Sequence, residues 1–272
     1  MKARTAFFVS GNTGVTAETF GQSLIVQFDG IEFHKVTVPF ISTVEKAEST
    51  VLRINQAAEN DKCRPVVFST LVQDEIKRVV RQSEGLFLDF FDAFLAPLEK
   101  ELGVQSALRT GRAHGMGDVE AYTNRIEATN FALSTDDGSN PNGYDQANVI
   151  LIGVSRSGKT PTCLYLALHY GVYAANYPLT EDELEEGALP AALMAHTSKL
   201  YGLTISPARL FQIRKERRAH GRYASQPQVT WELRQADTIF RRYGLSCVDT
   251  TATSIEEIAS TILEATGVER KL

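Results

Sequence analysis

The residues Gly153-Val154-Ser155-Arg156-Ser157-Gly158-Lys159-Thr160 fit the pattern GxxxxGK[ST], a spacing suited to holding linked phosphates. The two glycines let the chain curl until successive backbone N–H groups converge on one anion. A helix starting at the second glycine adds the positive end of its dipole. Lysine at the next position brings a mobile positive charge to the terminal phosphates, and the Thr160 hydroxyl suits Mg2+. These residues predict a nucleotide-binding loop with all eight as contacts, Lys159 as the catalytic cation and Thr160 as the metal ligand. The run Val149-Ile150-Leu151-Ile152 before the loop reads as a strand, and Leu164, Leu166 and Leu168 after it continue as a helix. The competing reading is a chance match in an ordinary strand-turn-helix connection.

Other residues could complete such a site. Asp249 follows the weak strand Leu245 to Val248 and is either the acid that backs a metal or a turn residue. Asp136 and Asp137 lie in a turn-like segment ahead of the loop, as helix-terminating residues or as a base or metal ligand; Asp137 is the catalytic candidate. Arg214, Lys215, Arg217, Arg218 and Arg222 form either a cationic lid over phosphates or a solvated helix face beside Glu216. His114 sits in the glycine-flanked stretch Gly111 to Gly115, and the loop Ser10 to Glu18 is a weak second anion site. The sequence has no Asn-Lys-x-Asp signature of a guanine site, which leaves adenine nucleotides as the default. It also lacks the His-Arg-Asp and Asp-Phe-Gly motifs of ordinary protein kinases.

The elements that must position these groups alternate strand and helix. Thr5 to Ser10 reads as a strand, the stretch from Gly14 onward as a helix, and Ile31 to Phe40 as a strand. Ser42 with Glu45 has the form of a capping box, and Val66-Val67-Phe68 centres another buried strand. Leu86 to Leu98 is apolar and ambiguous between helix and strand. Turn-forming residues gather between Ser134 and Tyr144, and the domain boundary is placed there. The expected fold is therefore α/β: an N-terminal Rossmann-like parallel-sheet domain with its linker (1–144), then a P-loop kinase-like α/β domain (145–272). In the second half, Val172 to Tyr177 and Leu203 to Ile205 read as strands. Ser206-Pro207 opens one helix, and Ser254 with Glu257 caps the last. No internal repeat is visible.

The 272 residues carry a formal charge of −5, which argues against nucleic acid as a partner and for a protein or small anion. Cys63, Cys163 and Cys247 have no metal-ligand spacing and are expected to be reduced and buried. No apolar run approaches a membrane span and the first residues do not form a signal-peptide core, so a cytoplasmic protein is expected.

These motifs taken together resemble the regulatory proteins of phosphoenolpyruvate synthetase, a group related to the regulators of pyruvate, phosphate dikinase. The resemblance runs through Ser10 to Glu18, Thr110 to Met116, Asp136-Asp137-Gly138, Gly153 to Thr162, Ala174 to Pro178, Leu203 to Arg209 and Ser254 to Ala259. Gly158-Lys159, followed by Ala175-Asn176-Tyr177-Pro178, resembles the synthetase branch more than the dikinase branch. The resemblance implies a bifunctional serine/threonine kinase and phosphorylase. Such an enzyme inactivates the synthetase by phosphorylating a threonine with ADP as donor, and reactivates it with inorganic phosphate, releasing pyrophosphate. One departure is that Gly11 follows Ser10 where the family usually has aspartate, so no acid role carries over there. A P-loop small-molecule kinase and a nucleotide-sensing inhibitor without enzymatic activity are the alternatives. The residues leave the oligomeric state open, a homodimer included.

Overall fold

The computed structural model describes residues 2–107, 119–217 and 221–271. The chain divides into two compact units, Met1–Gly117 and Asp118–Leu272. Both are parallel α/β layers.

In the first unit β1 (Lys2–Val9), α1 (Val15–Ile25), β2 (Ile31–Val38), α2 (Val44–Asp61), β3 (Val66–Ser69), α3 (Asp74–Val80), β4 (Leu86–Asp89) and α4 (Phe90–Leu102) alternate strictly. The four strands pair in parallel in the order β2-β1-β3-β4. Phe7, Val9, Ile54 and Val67 fill one face of this sheet, while Phe8, Ala17, Phe68 and Phe90 fill the other. The ambiguous stretch from Leu86 resolves into both types. The strand ends at Asp89, whose carboxylate accepts the Asp92 N–H and caps α4. At the start of α2 the cap is Thr43, accepting from Lys46 N–H, rather than the expected Ser42.

The second unit contains α5 (Val119–Ser134), β5 (Val149–Gly153), α6 (Lys159–Tyr170), β6 (Ala174–Pro178), α7 (Glu181–Glu186), α8 (Ala191–Met194), β7 (Leu200–Thr204), α9 (Pro207–Arg217), α10 (Gln226–Arg242), β8 (Cys247–Asp249) and α11 (Ile255–Thr266). Its sheet is again parallel, in the order β6-β5-β7-β8. Every residue of β5 is buried, as the continuous apolar run requires of a central parallel strand. Ile150, Ile152 and Leu210 belong to the core on one face; Val149, Leu151, Leu166 and Ile262 belong to the core on the other. Ala128 and Ala132 of α5 join this second core, so the segment 118–144, which the sequence reading groups with the first half, lies in the second compact unit. The Ser254–Glu257 capping box forms as expected, and the Ser206 hydroxyl accepts from Arg209 N–H at the start of α9.

In each sheet the order reverses between the first strand and the third. Loops leaving the C-terminal ends of those strands diverge there, opening the crevice in which α/β sheets bind ligands. In the second unit the loop leaving β5 at that point is the one carrying Val154 to Gly158.

Of the three cysteines only Cys163 is buried; Cys63 is intermediate and Cys247 exposed, and none forms a disulfide. The expectation of three buried thiols fails because Cys247 lies on β8, an edge strand paired on one side only, and Cys63 lies just past the end of α2. Among the described residues, no helix is long and apolar enough to cross a membrane.

Candidate functional site

The glycine-rich loop joins β5 to α6 through left-handed backbone. Arg156 has φ 75° and Gly158 φ 95°, and Gly158 is the N-cap of α6 with no side chain capping the helix. A Cβ on Gly153 would run into the Leu203 carbonyl of β7, so glycine at the start of the loop is fixed by strand packing. Among the described residues, no protein acceptor meets the backbone N–H of Ser155, Arg156 or Gly158. The Ser157 hydroxyl is also buried without a partner. Unsatisfied donors at a helix N-terminus form an anion nest.

Lys159 is buried, and its ammonium donates to the carbonyl oxygens of Gly153 at 3.1 Å and Val154 at 2.9 Å. Burial pulls its pKa down from 10.5 to about 8, opposed first by the nearby Asp137 carboxylate. The side chain thus folds back over its own loop, held by carbonyls that a phosphate would replace with full negative charge.

Beside the loop, a short turn of 3-10 helix at Asp136–Gly138 brings two acids to the start of α6. The Thr160 hydroxyl donates to Asp136 Oδ1 at 2.8 Å, and Asn176 Nδ2 donates to the same oxygen at 2.6 Å. The Asn176 Oδ1 accepts the Asp137 N–H at 3.1 Å, which holds Asp137 in a left-handed conformation at φ 50°. Asn176 is fully buried in β6 and spends both ends of its amide on this turn. The Asp137 side chain is exposed. A hydroxyl backed by a carboxylate is the oxygen donor pair a hard cation takes. Among the described residues no group of three or more His, Cys, Asp and Glu could hold a metal alone, so phosphate oxygens would have to complete the coordination. On those terms the donor set fits Mg2+.

Asp249 takes the turn role: its Oδ1 accepts from Thr251 N–H and hydroxyl. The acid that the structure brings to the Thr160 hydroxyl is Asp136, from the opposite end of the domain sequence. Sequence reasoning also missed Asn176. Its signal is a polar side chain inside the apolar strand Ala174-Ala175-Asn176, where an unpaired amide would be costly.

The basic run on α9 does not act as one patch. Arg214 is fully buried and donates to Glu232 Oε2 at 2.6 Å, the Ser155 carbonyl at 3.0 Å and the Tyr223 carbonyl at 3.1 Å. Its position four residues after buried Leu210 puts it on the inner face of the helix, a period that the sequence carries. Lys215 lies over the Phe211 ring, and Arg222 pairs with Glu181 at the surface. Arg218, His114 and the stretch Thr110 to Met116 lie outside the described residues. In the first unit Ser10 is buried and its hydroxyl accepts the Asn12 N–H.

A family model described as Kinase/pyrophosphorylase matches residues 6–263. Among similar proteins, one of Stutzerimonas stutzeri (strain A1501) is 52% identical over 269 residues, 99% of each chain. Another, of Pseudomonas aeruginosa (strain LESB58), is 52% identical over 268 residues, and one of Pseudomonas savastanoi pv. phaseolicola is 50% identical over 268 residues, each alignment covering 98% of both chains. All three bear the name "Putative phosphoenolpyruvate synthase regulatory protein".

Proposed function

The chain belongs to the Kinase/pyrophosphorylase family, and from that premise we propose that it regulates phosphoenolpyruvate synthase by reversible phosphorylation of a threonine, with ADP as phosphoryl donor. The observation carrying this reading is the Thr160–Asp136 hydrogen bond of 2.8 Å beside a loop in which, among the described residues, no protein acceptor meets the N–H groups of Ser155, Arg156 and Gly158. Linked phosphates would supply acceptors for those N–H groups, and a divalent cation would take the Thr160 and Asp136 oxygens. The names of the relatives support the synthase as the protein substrate.

In the kinase direction the residues 153–160 hold the ADP phosphates, with the β-phosphate deepest in the nest. The target threonine oxygen attacks the β-phosphorus, the bond to the bridging oxygen breaks, and AMP leaves. Asp137, exposed and beside Lys159, accepts the threonine proton as general base. Lys159 leaves the Gly153 and Val154 carbonyls to follow the charge that develops on the transferred group. Thr160 and Asp136 would hold Mg2+, which neutralises phosphate charge when bound. In the reverse direction an oxygen of inorganic phosphate attacks phosphothreonine, the P–Oγ bond breaks, and pyrophosphate leaves from a nest shaped for linked phosphates. The threonine oxygen takes back the proton held by Asp137.

ADP radiolabelled in its β-phosphate, incubated with the synthase and this protein, tests the reading. Label should enter the synthase and then leave as pyrophosphate when phosphate is added. Label found only in a small molecule would overturn it. Lys159→Ala measured in both directions decides whether one nest serves both: loss of both rates is expected, and a dead kinase with an intact phosphorylase would refute the shared site.

A further inference from the structure

We propose that Arg214 and Tyr223 are positioning residues that clamp Ser155 and so hold the loop 153–160 in its anion-binding shape before any ligand arrives. The inference rests on the nucleotide reading of that loop.

Ser155 is gripped at two points. Its carbonyl accepts from Arg214 Nη2 at 3.0 Å, and its hydroxyl shares a hydrogen bond of 3.0 Å with the Tyr223 hydroxyl. The two gripping residues also hold one another. Arg214 Nη1 donates to the Tyr223 carbonyl at 3.1 Å, and the guanidinium lies over the Tyr223 ring at 4.2 Å from its centroid. Glu232 of α10 supplies the counter-charge at 2.6 Å and is itself fixed through Oε1 by Gln228 Nε2 at 3.3 Å. Only a planar fork can reach Ser155, Tyr223 and Glu232 from a single buried position.

The consequence for the loop follows from peptide planarity. The Ser155 C=O and the Arg156 N–H share one trans peptide and point in opposite directions. Fixing the carbonyl on Arg214 therefore aims the Arg156 N–H away from the clamp, and among the described residues no protein acceptor meets it there. Arg156 has φ 75°, a conformation that costs a non-glycine residue free energy and reverts unless its neighbours hold it. The clamp is on the residue immediately before that strained one. A buried ion pair is a poor source of net stability but a strong fixer of geometry, which suits positioning better than stabilisation.

Calorimetric titration of the full chain with ADP tests the clamp, using Tyr223→Phe, Ser155→Ala, their double variant and Arg214→Lys. Tyr223→Phe keeps the ring under Arg214 and removes one hydrogen bond, so ADP affinity should fall roughly three- to tenfold. Ser155→Ala should match it, and the double variant should bind no more weakly than either single change. Arg214→Lys keeps a charge against Glu232 but loses the fork, and should weaken ADP by more than roughly tenfold. A purely structural role would lower the unfolding midpoint while leaving ADP affinity intact; that result, or single effects that multiply in the double variant, overturns the clamp. Wild type and Lys159→Ala run alongside. Binding by the first and not the second supports the nucleotide reading independently, so unaltered Tyr223→Phe then counts against the clamp alone. Absence of binding by wild type overturns both.

Discussion

Replacing Lys159 by Met should make the protein more stable without ligand and unable to respond to ADP. Lys159 is 4% exposed, its ammonium donates to two carbonyls, and its pKa is lowered from 10.5 to about 8. The folded state therefore carries a penalty for the charged form. A depression of between two and three pH units, at about 1.4 kcal/mol each, amounts to about 3 kcal/mol at pH 7. Removing the amine leaves both carbonyls with a backbone partner, since Gly153 O also accepts from Leu179 N–H and Val154 O from Ser157 N–H. A net gain of roughly 1–3 kcal/mol should remain after the cost of a less fitting side chain. The sign with pH follows from proton binding. Between about pH 8 and 10.5 the unfolded chain holds the Lys159 proton and the folded chain does not, so wild-type stability rises across that window. The advantage of the Met variant should be full below pH 8 and vanish towards pH 10.5. Urea unfolding followed by fluorescence of Trp231, the single tryptophan, reports on α10 in the same unit as the loop. A Met variant less stable than wild type at pH 7 would show that the buried charge carries no net cost, and one still stabilised by ADP would show that Lys159 does not hold the phosphates.

Gly158→Ala should fold, because its Cβ meets no protein atom within 4 Å, at a cost of about 1–2 kcal/mol for left-handed backbone; calorimetry should show ADP binding lost, since the new carbon occupies the approach of the phosphate. Asp137→Asn should lower kinase turnover by roughly 10²–10⁴-fold with ADP affinity little changed, measured by steady-state transfer and titration side by side. Asn176→Ala frees both Asp136 and Asp137 from their turn and should slow transfer by at least about tenfold even with Mg2+ saturating, at about 1.4 kcal/mol per factor of ten. A fragment of residues 118–272 should fold and bind ADP, whereas 145–272 strips α5 from α6 and exposes the core around Leu166; circular dichroism melts of the two fragments compare them directly.

Much of the fold can be read from local pattern. The apolar runs at Val66 and Val149, the Ser254–Glu257 box and the Ser206–Pro207 start correspond to β3, β5, α11 and α9. The boundary between halves was harder, because the turn-forming cluster from Ser134 to Tyr144 marks a short 3-10 connection inside the second unit, between α5 and β5. Composition identifies a break in regular structure; only packing tells whether the break lies between cores. The same limit applies to the site. Gly153, Gly158 and the helix start belong to one contiguous segment and are visible as such. Asp136 and Asn176 meet across 40 residues of sequence, and Arg214 reaches Ser155 across 59. Nothing local records those pairings, although a buried asparagine in β6 and an arginine in phase with Leu210 each leave a trace. The shared strand order of the two sheets is invisible as a sequence repeat, because parallel layering constrains polarity pattern and not residue identity.

The proposed function is reversible transfer of the ADP β-phosphoryl group to a threonine of phosphoenolpyruvate synthase. Intact-mass spectrometry of the synthase after incubation with this protein and ADP, and again after phosphate is added with pyrophosphate assayed in parallel, tests it most directly. The synthase should gain one phosphoryl group on a threonine and lose activity, then lose that group with one pyrophosphate formed per group removed. A synthase that is inhibited at unchanged mass, or that regains activity without pyrophosphate, would contradict it.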